Sequence, residues 1–222
     1  MLLAIDTSTQ MIGLALFDGV RVQAELIWQT RNHHTVELSP GISDLLARCN
    51  AKPADLGAIA VALGPGSFTS LRIGLALAKG LALALKIPLV GVPTLDTLAA
   101  AIPVQNMPLA AVLQAGRGRL ALVWYQVVDG AWKAQCDPIM ITAEELVLQL
   151  NKPTLVAGEL SADERHTLAR RRKNAQLVSP ARSMRRPSFL AELAWERWKA
   201  GQLDDIVTLA PIYLHVAEPI PS

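Results

Sequence analysis

Apolar and polar residues along this chain fall into blocks whose period switches between two and about 3.6, the signatures of strand and helix. Residues 2–6, 11–17 and 20–28 are apolar-rich runs separated by the polar turn Thr7-Ser8-Thr9-Gln10 and by Asp18-Gly19. That pattern predicts three antiparallel strands in a meander. A helical pattern follows over residues 35–49, in which Pro40 marks the first turn or a kink. A strand over 58–63, a long helix over 69–85, a strand over 89–92 and a helix capped by Thr94 come next. Strands alternating with helices predict an α/β layer with parallel strands beyond the meander.

A short proline-bearing break at Ile102-Pro103 opens the second half. Strand patterns over 109–114 and 119–128 surround Ala115-Gly116-Arg117-Gly118, echoing the first hairpin, and Asp129-Gly130 turns into a further strand from Ala131. The remainder reads as a helix over 143–150, a strand over 154–157, a helix from Ser161 and a last helix opened by Pro187 and closed by Gly201. The halves begin alike, which predicts an internal duplication with domains at 1–104 and 105–222.

Composition narrows the class. The chain has 222 residues, 51% of them hydrophobic, enough for a substantial core. Arg72, Lys79 and Lys86 interrupt the most apolar stretch, so no bilayer-spanning run is expected. The first residues enter strand pattern at once, without the basic and long apolar regions of a secretory signal. Cys49 and Cys136 lie in different elements without C-x-x-C spacing, which fits a reducing cytoplasm better than a disulfide framework or a zinc site.

The densest motif is Gly64-Pro65-Gly66-Ser67-Phe68-Thr69-Ser70-Leu71-Arg72-Ile73-Gly74, which joins a strand to the long helix. Glycines 64 and 66 permit backbone conformations closed to other residues, and Ser67 or Thr69 can cap the helix amides. The motif is either an anion cradle at a helix N-terminus or a tight strand-to-helix turn. No Gly-Lys-Ser/Thr closes it, so it is not a Walker loop. The helix itself is apolar or small nearly all round apart from Arg72, Lys79 and Lys86, which recur along one stripe. Such a helix needs cover on more than one side: either it is a core helix whose three basic ends snorkel into water, or it has one face in its own core and another against a partner.

Charge is balanced over 1–104, with seven basic and seven acidic side chains, and denser over 105–222, with fourteen and twelve. Arg165, Arg170, Arg171, Arg172, Lys173, Arg182, Arg185 and Arg186 fall in a stretch without an acidic residue. That run either meets nucleic-acid phosphates or is a solvated helix end and loop. An aromatic content of 5% argues against a stacking platform for single-stranded bases.

Ala4-Ile5-Asp6-Thr7-Ser8-Thr9, then Arg31-Asn32-His33-His34-Thr35 leading to Leu38-Ser39-Pro40, then the segment from Gly64 to Ala82, then Thr94-Leu95, together resemble the TsaB (YeaZ) family. Weaker echoes follow at Trp124-Tyr125 and Pro211-Ile212-Tyr213-Leu214. The resemblance implies an actin-like, Hsp70-like ATPase fold of two duplicated domains. It also implies a place in the bacterial machinery that puts threonylcarbamoyl on the adenosine beside the anticodon of tRNAs. In that family the protein is not the catalyst: it pairs with its paralogue TsaD, which holds the metal and transfers the group, while TsaE supplies an ATPase.

In the actin-like fold the loop between the first two strands binds phosphate. Asp6, Thr7, Ser8 and Thr9 take that place here and, with Gly64, Gly66 and Ser67, make up the expected nucleotide site, vestigial or shared at an interface. The matching loop of the second domain departs from the family pattern of Asp-Ala-Arg followed by Gly-Glu: Gln114 stands at the Asp and Arg119 at the Glu. Complete metal-nucleotide chemistry is therefore not expected. His33 and His34 are adjacent and diverge by about 100° on a helix, while His166 and His215 stand alone, so no metal pair is expected either. Gly64 to Phe68 is no G-x-S-x-G elbow, and no nucleophilic triad is legible.

The expected chain is thus a subunit without catalytic residues, metal or cofactor of its own, with ATP and metal handled by partner subunits in the cytoplasm. Contact with TsaD is expected through the two helices of the first half, at His34, Glu37, Ile42, Leu45, Leu71, Arg72, Leu75, Ala76 and Lys79. The same face would make a homodimer of the chain alone. tRNA would be met through the complex, at Arg170, Arg171, Arg172 and Lys173. The alternative is an ATP-using, kinase-like enzyme of the actin-like superfamily, which ATP turnover by the purified chain would reveal.

Overall fold

A computed structural model of the chain describes residues 1–31, 33–116, 118–170 and 173–214. The first half opens with the expected meander, β1 (Leu2–Asp6), β2 (Met11–Phe17) and β3 (Val22–Gln29). β3 starts at Val22 rather than at Val20, because the Asp18 carboxylate accepts the amides of Val20 and Arg21 at 2.8 and 2.7 Å and holds them in the turn. α1 (His34–Arg48) follows, running through Pro40 on its exposed side. Then come β4 (Ala58–Ala62), α2 (Phe68–Leu85), β5 (Leu89–Val92) and α3 (Thr94–Ala100). β4 pairs parallel with β1 and β5 with β4, which gives the order β3-β2-β1-β4-β5.

The second half repeats this plan with β6 (Leu109–Gly116), β7 (Arg119–Val128), β8 (Ala131–Ala134), β9 (Ile139–Ile141), α4 (Ala143–Gln149), β10 (Thr154–Gly158), α5 (Ala162–Ala169) and β11 (Ala175–Leu177). Its sheet runs β11-β10-β6-β7-β8, with β9 paired to β7 beside that path. Replacing β1, β2, β3, β4 and β5 by β6, β7, β8, β10 and β11 reproduces every pairing and its sense. The fold is therefore the actin-like α/β fold, two sheets with one topology. The three-residue strands β9 and β11 are too short to carry a period and escape sequence reading. α6 (Pro187–Lys199) is the last helix among the described residues.

Helices change sides between the halves, so a cut at 104/105 does not separate the two packing units. Leu95, Leu98 and Ala99 of α3 pack on Leu109, Ala111, Leu113 and Tyr125 of the second sheet. Leu190, Ala191 and Ala194 of α6 pack on Leu2, Ala4, Ala58, Ala60 and Ala62 of the first. The reason is legible in the strands. Central parallel strands are buried on both faces, and β1 and β4 alternate large residues toward α1 and α2 (Leu3, Ile5, Ile59, Val61) with residues toward α6 that, after Leu2, are all alanine. The alanines let α6 lie close.

α2 is long and apolar enough by composition to cross a membrane, and here it lies on the sheet with Leu71, Leu75, Ala78 and Ala82 buried. The dependence of the first sheet on α6 is testable. Leu190→Ala is expected to cost about 2–5 kcal/mol in urea denaturation, whereas truncating the exposed Leu148 to alanine leaves the midpoint within about 0.5 kcal/mol of the parent.

Candidate functional site

β1 ends at Asp6, and the loop Thr7-Ser8-Thr9 carries the chain into β2. From Asp6 to Thr9 every polar side chain is buried and partnered, whereas Gln10 is exposed. Asp6 is 1% exposed; its Oδ1 accepts the Ser8 amide at 2.8 Å and its Oδ2 accepts Arg185 Nε at 2.9 Å. Thr7 Oγ1 donates to the Ser70 carbonyl in the first turn of α2 at 2.8 Å. Ser8 Oγ meets Thr94 Oγ1 at 2.7 Å, and the Ser8 carbonyl accepts the Ser67 amide at 2.7 Å. Thr9 Oγ1 donates to Glu159 Oε1 at 3.1 Å and accepts Arg185 Nη2 at 2.9 Å. His34 Nε2 donates to the Thr9 carbonyl at 2.9 Å.

The glycine motif closes over this loop. A Cβ on Gly66 would run into the Ser8 carbonyl, and one on Gly74 into Thr7 Oγ1. Gly64, at φ +108°, gives its amide to Thr94 Oγ1 at 2.9 Å. Thr94 is thus not a helix cap: Pro93 holds that place, and the Thr94 hydroxyl links Gly64 to Ser8. Ser67 caps α2, its Oγ accepting the Ser70 amide. Gly64, Gly66 and Ser67, expected as part of a vestigial or interface nucleotide site, hold the protein's own loop here, with the Ser67 amide on the Ser8 carbonyl and the Gly64 amide on Thr94.

The seam between the sheets is crossed by two residues the sequence does not single out as a pair, Arg185 and Glu159. Arg185 Nη1 meets Glu159 Oε1, so one guanidinium bonds the end of β1, the following loop and the residue after β10. Glu159 reaches the seam because Gly158, at φ +139°, turns the chain where a Cβ would strike the Val112 carbonyl. Burial works against the Arg185 charge, but the Asp6 and Glu159 carboxylates outweigh it and hold the guanidinium pKa above its ordinary value. Gln114 donates Nε2 to Glu164 Oε2 at 2.5 Å and to the Glu159 carbonyl at 3.3 Å. An Asp at that point would set one carboxylate against another, which accounts for the amide. A cavity of about 420 Å3 beside the seam is lined by Met11, Leu160, Met184, Arg165 and Gln114, and its one carboxylate is Glu159.

The expected partner residues divide by burial. His34, Ile42, Leu45, Leu71 and Leu75 face the subunit's own core and cannot touch a partner from there. Glu37 accepts Trp28 Nε1 at 2.8 Å. Arg72 is exposed but stacks on Phe68, 3.6 Å from the ring centroid, and donates to Tyr213 Oη at 2.7 Å. Lys79 donates to the Val207 carbonyl at 3.1 Å, and Lys86 lies past the helix end at φ +55°, so the three cations do not form one free stripe. The open face of α2 is instead Phe68, Ala76, Gly80, Leu83 and Ala84, with Leu83 62% exposed.

The basic run divides in the same way. Arg185 is buried, Arg186 forks onto Glu25 Oε2 at 2.6 and 2.9 Å, and Arg165 donates to the Val178 carbonyl at 3.1 Å. Burial alone would raise the Glu25 carboxyl, but Arg186 and Ser188 hold it below its ordinary value. Arg170, Lys173 and Arg182 are exposed. Arg171, Arg172 and His215 lie outside the described residues, as do Asn32 and Arg117. Among the described residues no three His, Cys, Asp or Glu side chains are grouped as metal ligands.

Known proteins resemble the chain along most of its length. A family model described as "TsaD: tRNA N6-adenosine threonylcarbamoyltransferase" matches residues 28–189. The tRNA threonylcarbamoyladenosine biosynthesis protein TsaB of Bacillus subtilis is 34% identical over 221 residues, 98% of this chain and 95% of that one. Its namesake of Escherichia coli is 41% identical over 98 residues, 44% of this chain and 42% of that one. Among solved structures, YeaZ from Pseudomonas aeruginosa matches with a TM-score of 0.79 and 26% identity over 96% of this chain and 99% of that one. The ethanolamine utilization protein EutJ from Carboxydothermus hydrogenoformans, at a TM-score of 0.54 and 13% identity over 85% of this chain and 88% of that one, shares the fold.

The role of Thr94 as a clasp between the two loops is testable. Thr94→Val keeps the shape but leaves the buried Gly64 amide without its acceptor, so it is expected to cost about 1–3 kcal/mol, read as a lowered thermal midpoint.

Proposed function

The chain belongs to the TsaB (YeaZ) family of tRNA threonylcarbamoyladenosine biosynthesis proteins, and from that premise we propose that it is a non-catalytic subunit that docks on the catalytic paralogue TsaD. The observation that carries this reading is the sealed loop. Asp6, the acid that would direct metal-nucleotide chemistry in the first domain, spends one oxygen on Ser8 and the other on Arg185. The second domain offers Gln114 where an acid is expected, and that amide is committed to Glu164. A first half-site whose Asp6 is bonded at both oxygens and a second with Gln114 in place of the acid favour a scaffold over the kinase-like alternative.

Docking uses the face of α2 that its own core leaves open. Ala76, Gly80 and Ala84 follow one another at four-residue spacing, which places these small residues along one side of the helix, in line with Phe68 and the Arg72 that stacks on it. A partner helix can approach such a surface closely, and an exposed apolar stripe of this kind is stabilised by being covered. The same face serves a homodimer when the paralogue is missing, and TsaE joins the assembly as its ATPase. The assembly works in the cytoplasm, and the chain itself binds no metal or nucleotide.

The test is reconstitution from purified components. The chain alone is expected to release no phosphate from Mg-ATP. Ala76→Glu and Leu83→Glu are expected to keep the parent's thermal midpoint yet weaken heterodimer formation at least about tenfold, since each would bury an unpaired carboxylate. Light scattering that finds the heterodimer unaffected by both substitutions would remove α2 as the docking helix, and metal-dependent ATP turnover by the chain alone would restore the kinase-like reading.

tRNA phosphates are met at Arg170, Arg171, Arg172 and Lys173, of which Arg170 and Lys173 lie among the described residues and are exposed. Neutralising Arg170 and Lys173 is expected to lower the slope of log affinity against log salt by about 0.7–0.9 for each lost contact, with no change in heterodimer formation. An unchanged salt slope would show that this stretch is only solvated.

A further inference from the structure

We infer that Asp6, Thr9 and Glu159 form a cation site at the seam between the two sheets, and that its resident cation is the chain's own Arg185 guanidinium. The site is built. Arg185 Nε bonds Asp6 Oδ2 at 2.9 Å, Nη2 bonds Thr9 Oγ1 at 2.9 Å and Nη1 bonds Glu159 Oε1. The side chains of Arg185 and Asp6 are each 2% exposed. Thr9 Oγ1 also donates to Glu159 Oε1 at 3.1 Å, which ties the first loop to the second sheet beside the guanidinium.

The placement decides what this cation does. Asp6 and Thr9 belong to the loop of the first sheet, whereas Glu159 follows β10 of the second. Arg185 comes from neither sheet: it stands two residues before α6, the helix that crosses back to cover the first sheet. The Asp6 carboxylate is buried and that of Glu159 is 25% exposed, and two such carboxylates brought together repel unless a cation lies between them, the more so as water is excluded. The guanidinium's planar fork suits three acceptors in different directions, which an ammonium would meet as a single point. Closure of the two sheets on each other is therefore supplied from within the chain. No nucleotide or metal ion is needed to bridge them. This inference does not depend on docking to the paralogue.

Chemical rescue tests it. Arg185→Ala leaves a guanidinium-sized hole between two carboxylates, and losing one partner of a buried pair is expected to lower the thermal midpoint by roughly 6–20 °C. Millimolar methylguanidinium or Mg2+ should refill the site and raise the variant's midpoint saturably, as a ligand that binds only the folded state does. Tetramethylammonium at equal ionic strength should leave the variant unchanged, and all three salts should leave the parent protein unchanged. An Arg185→Ala protein as stable as the parent, or one whose midpoint ignores methylguanidinium and Mg2+ alike, would overturn the inference. If that variant does not fold, Glu159→Gln, which keeps the Asp6 pair, is expected to speed amide exchange at residues 8–11 and 158–161 relative to the parent. Exchange unchanged at both segments would likewise overturn it.

Discussion

One guanidinium, that of Arg185, stands where the two sheets meet, and the polar architecture of the molecule is arranged around it. Its three bonds reach Asp6, Thr9 and Glu159, which belong to different sheets. Asp6 in turn holds the Ser8 amide, and the Ser8 carbonyl holds Ser67 at the start of α2. A buried charge is tolerated only when paired and hydrogen-bonded, so the loop after β1, the turn after β10 and the segment before α6 must all be in place together. Cooperation among those segments is a consequence of where the charge lies.

The exchange of helices between the halves follows the same logic with apolar groups. Each sheet needs cover on both faces, and each half of the chain leaves one face uncovered when taken alone. α3 covers the second sheet from the first half, and α6 covers the first sheet from the second half. Neither half of the chain is therefore a complete packing unit, although the two sheets repeat one topology. Alanines at 4, 58, 60 and 62 are the sequence counterpart of α6 and would make a poor interior without it.

The glycine motif shows how one local pattern serves packing and recognition at once. Gly66 and Gly74 stand where Ser8 and Thr7 press against them and leave no space for a Cβ. Holding α2 against the loop in this way turns Ala76, Gly80 and Ala84 outward. The small residues that sequence reading associates with a close neighbour are thus divided between an internal neighbour, the Thr7-Ser8 loop, and an open face on which TsaD docking is proposed.

The sequence by itself determined the order of strands and helices, the meander at the start of each half, the duplication and the family, because these are written in local periods, turn residues and motifs. It also located the loop from Asp6 to Thr9 and the glycine motif. Only the tertiary structure decided which charges are free. Arg185 looks like one more member of an acid-free basic run, yet it is buried against Asp6, 179 residues away in the chain. Leu75 and Ala76 are neighbours on one apolar helix, and only the sheet beneath them makes the first core and the second surface. Short strands such as β11, the crossing of α3 and α6, and the pairing of Arg185 with Glu159 all depend on contacts between distant segments, and no period along the chain records such contacts.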